Sequence, residues 1–203
     1  MKIKLCGMSR ECDIDYANEA RPDYIGFVID YPKSRRSVTR ERAAELKARL
    51  SPEIKAVGVF VNYPAAACAD MAECGIIDVI QLHGSEDAAY IARLKALTRA
   101  PIIKAVRVAR RADIEAALSL GADCLLLDSG TGSGRAFDHS LIPRGLSVPF
   151  FLAGGLAPDN LAAAALAVRP FAVDMSSGVE SGGYKDREKM ISAVNAARAL
   201  DTI

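Results

Sequence analysis

Short apolar runs recur along the whole chain, and the segments between them have apolar residues at helical spacing. Each run holds three to six β-branched or other apolar residues. Runs of this length between turn residues are typical of buried strands. We therefore predict eight strands, at Ile3–Cys6, Tyr24–Val28, Ala56–Val61, Val79–Leu82, Ile102–Val106, Cys124–Leu127, Phe150–Leu152 and Phe171–Val173.

The segments between the runs predict helices, because their apolar residues recur three or four positions apart and so share one face. Thr39–Leu50 and Glu86–Leu97 are examples of this spacing. The faces expected to pack against the strands hold Ala43, Leu46, Leu50, Ile91, Leu94 and Leu97.

Polar residues near the predicted helix starts support this division of the chain. Thr39 can cap the second helix and Ser85 the fourth, since a hydroxyl accepts a hydrogen bond from a free backbone N–H. Pro158 and Asp159 suit the first turn of the seventh helix. The sixth connection, after Phe137, is the least helical.

Strands and helices alternate throughout, and this alternation is typical of parallel strands joined by crossover helices. Eight such units without a linker or a shift in composition favour a closed barrel over an open sheet. We therefore predict an α/β fold, a single-domain (β/α)8 TIM barrel over residues 1–203.

Composition and charge exclude several classes of protein. The chain has 203 residues, 51% of them hydrophobic, and 26 basic against 25 acidic residues give a net charge of +1. No broad basic face for nucleic acid or an anionic membrane is therefore expected. No apolar stretch approaches the ~20 residues that span a bilayer, and the first residues lack a signal-peptide core. We expect a soluble, cytoplasmic protein.

The five cysteines form no C-x-x-C pair, and no second histidine lies near them. Neither a disulfide framework nor a metal site is indicated. Cys12, Cys68, Cys74 and Cys124 fall within predicted helices or strands, so we expect them to be small buried hydrophobic residues.

In such a barrel, catalytic groups lie at the carboxyl ends of the strands. Cys6 ends the first strand, and a nearby cation or backbone N–H groups could lower the pKa of its thiol enough for a general base. Asp128 directly follows the sixth strand and could donate a proton. The alternatives are a buried hydrophobic residue for Cys6 and a cap or turn residue for Asp128.

Two segments near the end of the chain predict a phosphate site. Gly154 and Gly155 follow the seventh strand and would let a phosphate approach the backbone. Ser176, Ser177 and Gly178 follow the eighth, where a short extra helix would begin. Either segment alone could be only a tight turn or a helix cap. Their joint occurrence in barrel register favours phosphate binding.

Three further features lie after predicted strands. Arg36, within the basic segment Lys33–Ser37, could bind a carboxylate through its guanidinium fork or could belong to a solvated loop. His83 ends the fourth strand and could line the site or be structural. The glycine-rich segment Gly130–Gly134 lacks the lysine of a P-loop, and we interpret it as a mobile loop near the site.

Six segments share their order and spacing with one known enzyme family. They are Lys4–Gly7, Ser34–Val38, Gln81–Gly84, Leu127–Ser129, Gly154–Leu156 and Asp174–Glu180. In these segments the chain resembles the phosphoribosylanthranilate isomerase family. The resemblance implies a barrel of the ribulose-phosphate-binding type and an aldose–ketose isomerase of tryptophan biosynthesis, with a phosphosugar substrate and without metal or organic cofactor.

The implied reaction is the Amadori rearrangement of N-(5-phosphoribosyl)anthranilate to 1-(2-carboxyphenylamino)-1-deoxyribulose 5-phosphate. By this resemblance, Asp128 is the general acid that opens the ribose ring and Cys6 is the general base that removes the C2 proton. Arg36 would bind the anthranilate carboxylate, Asp174 would lie in the sugar hydroxyl region, and His83 would line the site. The phosphate would be held by Gly154, Gly155, Ser176, Ser177 and Gly178.

Two other functions stay open at this point. A barrel isomerase of histidine biosynthesis acts on a larger substrate with two phosphates and uses two aspartates, whereas here the first strand ends in Cys6. A non-catalytic phosphosugar-binding barrel is the second alternative, since fold alone does not determine function. For the oligomeric state we favour a monomer and leave a dimer open.

Overall fold

Eight parallel strands close into a barrel in the computed structural model, which describes residues 1–128, 138–143 and 145–200. Each strand begins within one residue of its predicted start, and the predicted (β/α)8 fold is confirmed. The strands are β1 Lys2–Cys6, β2 Tyr24–Ile29, β3 Lys55–Phe60, β4 Val79–Leu82, β5 Ile102–Arg107, β6 Cys124–Asp128, β7 Phe150–Leu152 and β8 Ala172–Met175.

The barrel closes through β1, which pairs in parallel with both β2 and β8. Lys4 is in register with Tyr24 of β2 on one side and with Asp174 of β8 on the other. The remaining strands pair with their neighbours in chain order. Because all eight are parallel, their carboxyl ends meet at one rim.

Helices cover the outside of the barrel. They are α1 Glu11–Ala20, α2 Arg40–Ala48, α3 Ala65–Glu73, α4 Ala88–Leu97, α5 Arg111–Leu118, α6 Leu161–Val168 and α7 Arg187–Ala199. No helix in the described parts of the chain is long and apolar enough to cross a bilayer. Between β6 and β7, the described residues contain only the 3₁₀ turn His139–Leu141, as the weak helical pattern predicted. The predicted loop Gly130–Gly134 lies outside the described residues.

Alternate strand residues point into the barrel because a strand has a period of two. Tyr24 and Phe151 pack edge to face in this interior, with ring centroids 5.5 Å apart. The apolar interior layer consists of Tyr24, Val57, Val79, Ile103, Cys124, Leu126, Phe151, Ala153 and Ala172. The intervening strand residues pack against the helices. This layer closes the barrel below the rim, so ligands can enter from the carboxyl-terminal end.

The predicted helix starts are confirmed in one case and wrong in another. The Thr39 hydroxyl accepts a hydrogen bond from the Arg42 N–H and caps α2 as predicted. The predicted start of the seventh helix, which is α6 in the structure, is wrong. Pro158 and Asp159 lie in a turn, and the helix begins after Asn160.

The start of α4 also differs from the prediction. Asp87, rather than Ser85, caps this helix by accepting a hydrogen bond from the Tyr90 N–H. Glu86 turns inward, where its carboxylate lies 2.8 Å from the buried ammonium of Lys104. This buried ion pair ties the β4–α4 loop to β5 and takes Glu86 out of the predicted helix.

Two burial predictions are wrong. Leu97 is 47% exposed at the last residue of α4, whereas the other five residues predicted on the packed helix faces are buried. Cys74 is exposed where α3 ends, while Cys68 and Cys124 are buried as expected and Cys12 is partly buried. Both exceptions lie at the carboxyl end of a helix.

Candidate active site

A cavity of about 290 Å³ opens at the carboxyl-terminal rim of the barrel. It collects residues from widely separated parts of the chain, because inward positions at the ends of successive strands converge there. Nine of the ten predicted site residues line it, namely Cys6, Arg36, His83, Asp128, Gly154, Gly155, Asp174, Ser176 and Ser177. Gly178 lies directly behind the rim in the 3₁₀ turn Ser177–Val179.

A larger hollow of about 1450 Å³ lies at the opposite end of the barrel. Its lining includes Pro149, which precedes β7, and Phe171, which precedes β8. None of the predicted site residues lines it. Since barrel enzymes carry their chemistry at the carboxyl ends of the strands, we assign the functional site to the smaller cavity.

Cys6 and Lys4 share the inward face of β1, two residues apart. Lys4 is fully buried, and its ammonium lies 2.9 Å from the Oδ1 atom of Asp174 in β8. Lys4 also interacts electrostatically with the Cys6 thiol, and both groups lie next to Gly26 of β2. Sulfur, ammonium and carboxylate therefore form one cluster at the base of the cavity.

The structure corrects the expectation that neighbouring cations lower the pKa of Cys6. Burial raises the pKa of this thiol above its ordinary value. The Lys4 and Lys185 ammonium groups act in the opposite direction but do not outweigh it, and the Asp174 carboxylate adds to the rise. Desolvation penalises the charged form of any acid, and here it is the largest effect. Without a ligand, the neutral thiol is the main form at neutral pH.

A second charged cluster lies beside the cavity and centres on the buried carboxylate of Glu180. Arg36 binds both of its oxygens, with Nε at 2.6 Å from Oε1 and Nη2 at 2.8 Å from Oε2. Arg35 and Lys185 also donate to it, each at 2.6 Å. Lys185 further donates to the Ser176 carbonyl at 2.9 Å, which connects this cluster to the turn after β8. Arg36 is thus held in place and does not belong to a solvated loop.

Glu180 is expected to make folding stability depend on acid pH. Burial alone would raise its pKa, but hydrogen bonds from Arg36 and Lys185 outweigh burial and lower the pKa from 4.5 to about 2. A lowered pKa stabilises the fold above the pKa of the unfolded chain, and this stability is lost as the pH falls toward 2. The shift corresponds to on the order of 3 kcal/mol.

The measurement is the free energy of unfolding of the protein and of its Glu180→Gln variant between pH 7 and 2.5. We expect the free energy of the unsubstituted protein to fall more steeply below pH 4.5. Equal slopes for the two proteins would show that the pKa of Glu180 is not depressed.

The wall formed by β4 and β6 carries different polar groups. Asp128 ends β6 and is partly exposed to the cavity. Nδ1 of His83 lies 3.1 Å from Nε2 of Gln81. Although His83 is exposed at the rim, desolvation by the surrounding protein lowers its pKa, so the neutral ring is the main form at pH 7. Oε1 of Gln81 is buried without a hydrogen-bond partner among the described residues. A buried unpaired acceptor costs about 1–3 kcal/mol, and a ligand hydroxyl could satisfy it.

The turns after β7 and β8 have the backbone that the glycine pattern predicts. Gly154 and Gly155 have φ values of 93° and 66°, in the region that favours glycine. A Cβ atom at Gly178 would lie 2.0 Å from the carbonyl oxygen of Leu156, so only glycine fits between the two turns. The short extra helix predicted here is present as the 3₁₀ turn Ser177–Val179.

Sequence reasoning missed the roles of Lys4, Gln81, Glu180 and Lys185 in this site. All four lie inside or next to the segments that carry the family resemblance, but none was assigned a contact. Only Lys4 and Gln81 could have been found from the sequence. Each stands two residues before a predicted site residue, Cys6 or His83, and side chains two residues apart in a strand share one face.

The family model described as N-(5′-phosphoribosyl)anthranilate isomerase matches residues 3–196. The chain belongs to the N-(5′-phosphoribosyl)anthranilate isomerase family. The family member of Endomicrobium trichonymphae is 42% identical over 98% of this chain and 99% of its own length. These matches confirm the resemblance noted in the sequence, the isomerase class and the place in tryptophan biosynthesis.

Solved structures of N-(5′-phosphoribosyl)anthranilate isomerases have the same fold. The protein of Thermotoga maritima has a TM-score of 0.89 and 37% identity, over 98% of this chain and 100% of that one. Another family structure, with a TM-score of 0.83 and 34% identity over 98% and 100% of the chains, is a complex with reduced 1-(o-carboxyphenylamino)-1-deoxyribulose 5-phosphate. That family member therefore binds a small phosphosugar derivative.

A further structure describes the Thermotoga maritima isomerase as dimeric. For the present member of the N-(5′-phosphoribosyl)anthranilate isomerase family, the preference for a monomer stays a prediction. The cytoplasmic location and the absence of a nucleic-acid partner likewise stay predictions.

Proposed function

We propose that the protein converts N-(5-phosphoribosyl)anthranilate to 1-(2-carboxyphenylamino)-1-deoxyribulose 5-phosphate by a cofactor-free Amadori rearrangement. The observation that carries this proposal is that Cys6 and Asp128 line one cavity from β1 and β6. These strands are not adjacent in the barrel, so an acid and a base can reach different atoms of one bound sugar.

In the first step, Asp128 gives a proton to the ring oxygen of the ribose. The ring bond between C1 and this oxygen breaks, and the nitrogen lone pair forms a C1=N iminium ion. The iminium ion acidifies the C2 proton. The cavity is open to solvent at the rim, which leaves room for the opened sugar chain above Asp128.

In the second step, the Cys6 thiolate removes the C2 proton. The electrons of the C2–H bond form a C1=C2 double bond, and the C=N electrons return to nitrogen. The resulting enolamine tautomerises to the ketone, so no net proton, electron or cofactor is consumed. A positioned acid or base of this kind contributes roughly 10²–10⁴-fold to the rate.

Arg36 would bind the anthranilate carboxylate at the wall of the cavity that it lines. Its guanidinium is already oriented by Glu180, and a fixed fork loses little freedom when it binds a second carboxylate. Asp174 and His83 would contact the sugar hydroxyl region, since both line the same cavity.

The phosphate would bind between the turns after β7 and β8. The backbone N–H groups of Gly154, Gly155, Ser177 and Gly178 and the serine side chains are suited to an anion there. The Ser176 hydroxyl already donates its hydrogen bond to the Cys6 carbonyl at 3.1 Å, so Ser177 is the serine whose hydroxyl is available to donate to the phosphate. A held phosphate orients the ribose over Cys6 and Asp128, and such orientation can lower the barrier further.

The test is the fluorescence of freshly prepared phosphoribosylanthranilate after the purified protein is added, with the product identified by chromatography. We expect a rapid, protein-dependent decay and formation of the ketose. Tight binding of the reduced product analogue without any decay would instead favour a non-catalytic phosphosugar-binding barrel. Neither decay nor binding over a range of pH and salt would overturn the proposed substrate.

A further inference from the structure

Lys4 is fully buried at the base of the cavity, and the steps proposed above give it no task. Few side chains are as costly to bury as a lysine, since its ammonium loses its hydration. A buried cation persists only where nearby groups balance its charge. The groups that balance Lys4 therefore indicate what it does.

Two groups interact with this charge. One is the Asp174 carboxylate, 2.9 Å from the ammonium, and the other is the Cys6 thiol on the same strand face. Burial alone would lower the pKa of Lys4, but these partners outweigh burial and raise the pKa above its ordinary value. Lys4 is thus a permanent cation next to the sulfur.

Gly26 of β2 lies beside both the Cys6 sulfur and the Lys4 ammonium, and its lack of a side chain leaves space for the two groups. A Cβ atom at this position would lie 2.7 Å from the Cys6 sulfur and 3.3 Å from the Lys4 ammonium. Any larger residue would push against the sulfur and crowd the ammonium. The glycine thus allows both groups to occupy one face of the barrel wall.

We propose that Lys4 is a positioning residue that stabilises the thiolate form of Cys6. Asp174 weakens this stabilisation, because its carboxylate partly neutralises the charge of Lys4. The meaning of this inference for catalysis rests on the role proposed above for Cys6. When the thiolate takes the C2 proton, an S–H bond forms and the C2–H electrons move toward the iminium nitrogen. The charge of Lys4 is then balanced by Asp174 alone.

Other charged groups also face Cys6 within the described part of the chain. Lys185 approaches from the hairpin after β8, in which Glu180–Ser181 pairs with Tyr184–Lys185, and Arg36 approaches from the segment after β2. Both already bind the Glu180 carboxylate, which partly neutralises their charges and weakens their effect on the sulfur. Asp128 and His83 belong to the far wall of the same cavity. Lys4 lies on the same strand face as Cys6, and among these cations it has the largest effect on the pKa of the thiol.

The test measures the rate at which iodoacetamide alkylates Cys6 in the ligand-free protein as a function of pH. Peptide mass spectrometry reads Cys6 separately from the other four cysteines. We expect Lys4→Met to raise the midpoint of the pH profile by at least about 1 unit, the size typical of an opposite charge in contact. We expect Asp174→Asn to lower the midpoint, since Lys4 then faces the sulfur alone.

Opposite shifts separate this role from a structural one, because loss of packing would not move the two variants in different directions. A matched control is Lys104→Met, which removes another buried lysine that is paired with Glu86 away from Cys6. Its Cys6 midpoint should equal that of the unsubstituted protein. If Lys4→Met does not fold, Asp174→Asn still tests the proposal with Lys4 in place.

An unchanged or lower midpoint in Lys4→Met overturns the proposal, and so does an unchanged or higher midpoint in Asp174→Asn. Alkylation requires no turnover and no substrate. A failure here is therefore distinct from a failure of the proposed function, which would show as the absence of isomerase activity in the unsubstituted protein.

Discussion

Cys6→Ala is expected to lower kcat for phosphoribosylanthranilate by at least ~10²-fold, the usual loss when a general base is removed. Alanine is also small and apolar, so the buried position next to Gly26 should tolerate it. Binding of the reduced product analogue should change little, because the substitution leaves the phosphate turns and Arg36 in place. The loss is measured from the initial rate of fluorescence decay at saturating substrate.

The matched control is Cys74→Ala, which removes an exposed thiol at the end of α3. This variant should retain the full rate. A Cys6→Ala variant with near-normal turnover would show that another group takes the C2 proton, even if the isomerase reaction itself is correct.

Asp128→Asn is expected to lower kcat by a similar factor of at least ~10², because an amide cannot supply the proton that ring opening requires. The substitution hardly changes the shape of the side chain, so the Kd for the reduced product analogue should stay within a few-fold. A large loss of kcat with a retained Kd is characteristic of a group that acts on the transition state rather than on the bound substrate.

The control for this variant is Asp70→Asn, which changes an exposed carboxylate on α3 and should leave both constants unaltered. Retained turnover in Asp128→Asn would contradict the assignment of the acid. Loss of ligand binding as well as turnover would instead give Asp128 a role in binding.

The barrel itself could be predicted from local patterns, because each strand is a short apolar run and each helix shows its own periodicity. The errors lie where a side chain prefers a distant partner. Glu86 has good helix propensity, but it leaves α4 because Lys104 of the next strand offers a buried ion pair. Intrinsic propensity is a weak preference, and tertiary contacts override it.

The outer part of the candidate site was also predictable, since the residues after the strands are visible once the strands are located. The buried charges were not. A lysine in a strand usually points to solvent. Burial of Lys4 depends on Asp174, which lies 170 residues further along the chain. Glu180 likewise depends on Arg36 and Lys185 from two separate segments. No local pattern reports such pairings.

The raised pKa of Cys6 also depends on residues that are distant in the sequence. Cations close to the thiol could be anticipated in general terms, but the extent of burial depends on how the strand ends and the hairpin after β8 close around it. Burial exceeds the effect of the cations here. Its magnitude follows from the assembled structure and not from the residues near Cys6 in sequence.

The contact between Lys4 and Asp174 joins the first and last strands of the barrel across 170 residues. A hydrogen bond from Ser176 to the Cys6 carbonyl spans the same distance. Contacts this remote form late in folding, because the entropy of closing so long a loop must be offset first. A growing chain on the ribosome therefore holds Lys4 without its carboxylate partner until the eighth strand emerges. Recovery of turnover during refolding should accordingly report the moment at which the ring of strands is complete.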